Sequence, residues 1–344
     1  VTLTGAVGPC AITAQQAGDT TYNAAPDVTQ SFSVQAPIPM VTLTVQTAGT
    51  GSGTVNPGVG PHQYPNTATA SLTATANSGS TFTGWTVDGT FVGFGVPLDL
   101  PMTLSHTVVA TFNTTPVFSD VTGTTPFAAA ISQLAARDIL RGYLPSTCQA
   151  AHLTTPCAGP GDFLGRAQAA ALTARPFGWQ TQHAANPFPD RCSATNPNDC
   201  IDDELWNDIG VLNSKNIARG YPDPLACAPY GTTAPCYLPR TDVLHIQVVS
   251  LITRAMEAAG YWQAVTVDNP ALFANVPMST NERLDLLTYL HYVQPYTNAN
   301  SLPLLPTLSG TATFPGYADP ASRGYAAQVI WQAYASYWST NHLP

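Results

Sequence analysis

Positive charge is what this sequence has least of. Only 9% of its 344 residues are charged, its one lysine is Lys215, and neither Lys nor Arg occurs before Arg137. With a net charge of −9, the chain has no basic surface to offer nucleic acid or an anionic membrane. So little lysine suits a secreted protein packed against neighbours better than a dispersed cytosolic one. No run of 18 apolar residues occurs, so no segment reads as inserting into a membrane. There is no G-x-S-x-G, H-E-x-x-H, P-loop or dinucleotide fingerprint, and the seven histidines (62, 106, 152, 183, 245, 291 and 342) are scattered. The sequence therefore reads as a non-enzymatic protein with no cofactor. Its first residue is Val1, with neither an initiating Met nor a signal segment, as expected of a mature, processed or partial chain.

What is present is proline (31), glycine (26) and cysteine (7). Six cysteines fall into close pairs, Cys148/Cys157, Cys192/Cys200 and Cys227/Cys236, each in a Pro/Thr/Asn-rich loop. No pair has C-x-x-C spacing or convergent histidines, so disulfides are expected rather than metal, and with them an oxidising compartment. Cys10 is left over. The acidic cluster Asp199, Asp202, Asp203 and Glu204 lacks the odd-position spacing of a Ca²⁺ loop and reads better as the acidic first turn of a helix. No metal site is expected.

Residues 1–114 alternate β-branched or apolar residues with small polar ones, which predicts strands throughout. A Pro-rich linker at Ala36-Pro37-Ile38-Pro39 divides this region into 1–36 and 40–114. Beyond Pro116 the pattern turns helical: Phe127, Ile131, Leu134 and Ala135 share one face of a helix predicted over 127–141, with Gly142 as its C-terminal stop. An internal repeat follows. FSDV (118–121), ISQLAARDILRGY and FLGRAQAAAL (163–172) recur as FPD (188–190), IGVLNSKNIARGY and YLPRTDVLHI (237–246). A weaker copy runs FANV (273–276), LDLLTYLHYVQPY (284–296) and PASRGYAAQVI (320–330). Three helix–loop–helix units are predicted, 117–185, 186–264 and 265–344, with Arg166, Arg240 and Arg323 each opening a second helix. One unit cannot bury its apolar face alone, so the three should pack together.

The succession F-x-D-V, helix, Gly-Tyr and Arg motif resembles the S-layer homology module of bacterial surface proteins, in a variant with a disulfide-closed connecting loop. The resemblance implies a mostly α-helical pseudo-threefold bundle at the cell surface, whose grooves bind pyruvylated cell-wall polysaccharide. The stretch GPCAITAQQAGDTTYNAAPDVTQSFSV is similar to the last strands of a bacterial immunoglobulin-like domain. Residues 41–113, with GTVNPG, FTGW and VVATF, resemble internalin-type β-repeats. The expected fold class is therefore multidomain: an all-β N-terminal part followed by a helical bundle.

The family's Arg maps onto Arg166, Arg240 and Arg323, and its F-x-D acid onto Asp120 and Asp190. A guanidinium at a helix start suits a ketal carboxylate, since it pairs bidentately and the helix amides add positive potential. Tyr143, Tyr221 and Trp206 are candidate stacking faces for a sugar ring. Trp85, Trp179, Trp262, Trp331 and Trp338 read as core. The sequence departs from the family motif around each Arg, where Gly165, Pro239 and Ser322 stand for its Thr and Gln168, Asp242 and Tyr325 for its acid. The alternative bland role is that each Arg pins a neighbouring repeat and each Asp sets the chain's entry to its helix.

The functional expectation is an extracellular, cell-surface protein anchored to wall polysaccharide, with its β domains presented outward. The alternative is a self-assembling subunit of a surface layer or extracellular filament. Three strands in residues 1–36 fall short of the about seven that a sandwich needs. Contact with other copies of the chain through that segment is therefore expected.

Overall fold

The computed structural model describes residues 7–196, 199–270, 277–293 and 317–343. FANV, Asn275 and Pro295 of the third repeat lie outside them, as does VTLTG at the N-terminus. The first described elements, β1 (Gly8–Gln16) and β2 (Ala25–Val34), form an antiparallel hairpin. Directly opposed residues share a face, so pairing Cys10 with Phe32 and Ala14 with Val28 makes one side apolar. Thr13, hydrogen-bonded to Thr29 at 2.8 Å, belongs to the polar side.

Two sheets follow. β3 (Met40–Ala48), β5 (Gly60–Pro65), β7 (Ser80–Val87), β8 (Thr90–Gly93) and β10 (His106–Thr114) assemble in the order β5-β3-β10-β7-β8, with β3 and β10 parallel. β4 (Gly53–Asn56), β6 (Thr69–Ala76) and β9 (Leu98–Pro101) form the second sheet. Alternation decides which side is covered: in β6, Ala70 and Leu72 are buried while Thr69, Ser71 and Thr73 are exposed. The shared core holds Leu43, Val45, Leu72, Trp85, Val108 and Phe112. The Trp85 indole N–H donates to the Gly95 carbonyl at 2.9 Å.

The remainder is helical: α1 (Ala128–Ala136), α2 (Pro145–Ala150), α3 (Arg166–Ala174), α4 (Asp203–Ser214), α5 (Pro224–Cys227), α6 (His245–Ala258), α7 (Thr280–Tyr292) and α8 (Arg323–Trp338). The three repeats share one apolar core, in which Ile131, Leu134, Ile209, Leu212, Leu286 and Ile330 are buried. Where they meet, three extended segments close a ring. Leu164 N–H donates to Ala321 O at 2.9 Å, Ala321 N–H to Val243 O at 2.8 Å, and Val243 N–H to Leu164 O at 2.8 Å. One step along, the Arg166, His245 and Arg323 amides donate in the opposite cyclic sense to the Thr241, Asp319 and Asp162 carbonyls. Each repeat thus satisfies helix-start amides of a neighbour, groups that no helix can satisfy internally.

One helix stops earlier than the sequence predicts, and its counterpart in the second repeat stops in the same way. α1 ends at Ala136, not near Gly142, because Asp138 takes a left-handed conformation (φ 55°) that turns Ile139 and Leu140 back into the core. α4 ends likewise at Ser214, with Asn216 at φ 59°. Asp and Asn tolerate this region better than other non-glycine residues. Gly142 is needed for closeness instead: a Cβ there would lie 2.8 Å from the Cys157 carbonyl oxygen and from the Phe118 ring.

The three expected disulfides are present, Cys148–Cys157, Cys192–Cys200 and Cys227–Cys236. The first and third close the loops after Gly-Tyr, whereas the second lies ahead of α4. The acidic cluster begins α4 as expected: the Asp202 carboxylate caps it, accepting from Glu204 N–H at 2.8 Å. Trp85, Trp179 and Trp262 are buried. Trp331 and Trp338 instead face the five-stranded sheet, packing on Phe94 (5.6 Å) and Phe91 (4.8 Å). The Arg137 guanidinium packs against both rings of the Phe94–Trp331 stack (4.9 and 4.8 Å), and the tail after α8 is tied to β8 by His342 N–H donating to Val92 O at 2.6 Å. No helix among the described residues is long and apolar enough to cross a membrane.

Candidate functional site

Two clefts between repeats are built to one plan. In groove A, Arg166 is the first residue of α3 and reaches into the second repeat. Its Nε donates to Tyr237 O at 2.8 Å and its Nη1 to Gln247 Oε1 at 3.0 Å. Its guanidinium lies over the rings of Tyr221 (4.8 Å) and Tyr237 (4.7 Å). Arg219, Arg254 and Asn281 complete the wall. In groove B, Arg323 opens α8 and reaches into the first repeat, donating to Ala158 O at 2.7 Å and Arg141 O at 3.0 Å over the Tyr143 ring (4.4 Å). Arg141, Arg175, Gln168 and Glu204 complete that wall.

Burial separates the two central arginines. Arg323 is 6% exposed, and its desolvation lowers the guanidinium's affinity for its proton. The Tyr143 hydroxyl is pushed up to about 12, chiefly by desolvation, so it is a neutral donor at physiological pH. Burial also raises Tyr237. Arg166 is only partly buried. Around it, exposed Arg219 adds a second cation at the mouth of the cleft.

Of the predicted site residues, the fold gathers Arg166 with Tyr221 and Arg323 with Tyr143. Arg240 is not their equivalent. It lies five residues before α6, where its guanidinium donates to the Asp199 and Arg191 carbonyls and so fastens the Cys192–Cys200 loop. The residue that opens α6 is His245, stacked on Tyr325 at 3.9 Å. Asp120 and Asp190 face backbone. Asp120 accepts from Ala158 N–H (2.8 Å) and Gly159 N–H (2.7 Å), and buried Asp190 from Tyr237 and Leu238 amides, the latter at 2.6 Å. Each holds the end of a disulfide loop against its repeat. Trp206 packs on the helical core, its carbonyl accepting from Asn186, and does not line either groove.

Sequence reasoning missed Arg141, Arg175, Arg219, Arg254 and the paired Gln168 and Gln247. A signal was available: Arg-Gly-Tyr occurs at both 141–143 and 219–221, and VLHIQ (243–247) aligns with LGRAQ (164–168) once apolar register, not arginine, is matched. Among the described residues no cluster of His, Cys, Asp and Glu is arranged to hold a metal ion. Chemically, the grooves offer cations, ring faces and amide groups, the set that recognises an anionic sugar.

No curated relative matches the chain. The three disulfides and the β-repeat are compatible with a secreted or surface protein. The five- and three-stranded sheets carry a similarity to a known family: residues 42–116 match the divergent InlB B-repeat domain.

Proposed function

We propose that this is a non-enzymatic cell-surface protein that anchors to acidic cell-wall polysaccharide through S-layer-homology-type repeats and presents its β domains outward. The observation that carries the reading is groove A, where Arg166 is held between two tyrosine rings with Arg219 and Arg254 beside it. A carboxylate on a sugar, such as a pyruvate ketal, pairs with a guanidinium fork, while an aromatic ring suits the sugar's C–H face. The cyclic hydrogen bonding of the three repeats supports the family resemblance drawn from their motifs.

The test is co-sedimentation of the full chain with purified wall sacculi. The protein should pellet with them, and mild acid hydrolysis of the ketals should release it. Arg219 is exposed and donates only to Asn216 among the described contacts, so Arg219→Ala should leave the fold intact. It should weaken binding about tenfold or more, as loss of a charged hydrogen bond implies. Failure to pellet, or pelleting indifferent to both changes, would refute the reading. A second reading, self-assembly into a surface layer or filament, is favoured by the open apolar face of the β1–β2 hairpin.

A further inference from the structure

Grooves A and B share their arginines but not their acids. Arg141 in groove B and Arg219 in groove A occupy the same place before Gly-Tyr, yet their partners differ in charge. Arg141 is held by two carboxylates. Asp138 accepts from its Nε at 2.9 Å and its Nη2 at 2.7 Å, and Glu204 accepts from Nη1 at 2.8 and 3.1 Å. Glu204 also accepts from Arg175 Nη2 at 3.2 Å, bridging two cations across the cleft. The residue matching Asp138 in groove A is Asn216, whose amide oxygen accepts from Arg219 Nε at 3.0 Å. The residue matching Glu204, second in its helix and likewise lining the cleft, is Asn281. The exchange recurs nearby: Asp162 supplies the carbonyl for the Arg323 amide and Thr241 the one for Arg166, while α4 is capped by Asp202 and α7 by Ser279.

One acid runs the other way. Glu282 stands where groove B has Leu205, but its Oε2 accepts from the Ser279 amide at 2.8 Å and hydroxyl at 2.7 Å and makes no arginine contact among the described bonds. Asp285 neutralises Arg254 at 2.6 Å. Among the described residues Arg219 hydrogen-bonds only to the carbonyl and amide oxygens of Asn216, while the Glu257 and Asp285 carboxylates act on it through space without a direct bond.

We propose that Glu204 is a specificity-determining residue. Its carboxylate fills in groove B the position a ligand carboxylate takes in groove A, so of these two grooves groove A alone accepts a carboxylate-bearing sugar. The inference rests on the reading of the grooves as glycan sites and adds which groove is open and what closes the other. A bridging carboxylate satisfies both guanidinium groups, so an entering anion must displace it or meet its repulsion. In groove A, Asn281 presents an amide, which is neutral and can donate to a ligand oxygen.

Isothermal titration of the full chain with the methyl glycoside of a 4,6-pyruvate-ketal hexosamine tests this by counting sites. The parent should bind one equivalent. Asn281→Glu should weaken it at least tenfold, Arg219→Gln should do the same, and Glu204→Asn should create a second equivalent. Near-ultraviolet circular dichroism checks that each variant is folded. Two equal sites in the parent, or one site unmoved by Asn281→Glu, would overturn the inference while carboxylate binding stood. One site in Glu204→Asn would overturn it as well. No binding in the parent or any variant would overturn both.

Discussion

Glu204 and Asp208 stand one helical turn apart on α4 and compete for Arg175. Glu204 has it, and both oxygens of Asp208 are buried with no hydrogen-bond partner. At the matching position on α7, Asp285 has no such rival and takes Arg254. Burial therefore pushes Asp208 up to about 6 from an ordinary 3.8. A carboxyl whose folded pKa is raised binds more protons folded than unfolded between about pH 4 and 6. Its contribution to stability is thus greatest below that window, falls as pH rises through it, and stays low above. The displacement is equivalent to about 2–3 kcal/mol. Asp208→Asn removes the titration, so the stability of the variant relative to the parent should rise by about that amount from pH 4 to pH 7.5. Urea unfolding at several pH values measures it, and a constant difference would show that Asp208 is ionised and paired in solution. The exposed ion pairs of Arg141 are worth much less, since solvent screens them.

At the scale of elements, the first two repeats were legible because each carries the same apolar spacing before Arg-Gly-Tyr and a cysteine-closed loop after it, and the third by its weaker apolar spacing alone. Helix ends were less legible. An Asp or Asn in the left-handed region stops α1 and α4 without the glycine that usually marks such a stop, so taking Gly142 as the stop carried the predicted helix too far. Arg240 misled for a related reason. Its side chain secures a disulfide loop, whereas the groove position fell to His245, a residue type that motif matching passes over. The loops themselves have little apolar content beyond Cys227, Cys236 and Leu238 in the second repeat, so covalent closure substitutes for a core. In the chain-entropy view a loop of this length contributes about 2.5–3 kcal/mol. Replacing Cys227 and Cys236 together by Ala should lower unfolding stability by about that much. Because Tyr221 N–H donates to Cys236 O at 2.7 Å, it should also loosen groove A. Calorimetric unfolding and the glycoside titration would report the two effects, and an unchanged melting curve would show that the loop is held by Asp190 and packing alone.

Across the whole molecule, the two ends of the β region are fastened very differently. The five-stranded sheet is locked to the bundle by Arg137, the Phe94–Trp331 stack and the tail after α8. Gly93 admits that tail, because a Cβ there would lie 2.5 Å from the Thr340 carbonyl oxygen. Among the described residues the hairpin has no such anchorage: its side chains are exposed almost throughout, including Ile12 (44%), Val28 (67%) and Phe32 (39%) on one face. A lone hairpin is marginal in water, and three or more strands or a packed face are needed for stability. The segment also carries few charges to deter edge pairing. The immunoglobulin-like resemblance of residues 1–36 and the expected contact with other copies both ask for strands added to this face. If a second copy supplies them, the full chain should gain mass with concentration in light scattering. Ile12→Thr with Phe32→Ser should raise the concentration needed by at least tenfold, since burying each side chain is worth about 1.5–3 kcal/mol. Thr29→Ser, on the polar face, should leave association unchanged. A parent protein that keeps the mass of one chain at every concentration would remove the hairpin as a self-contact and with it the reading of the chain as a self-assembling subunit through this face.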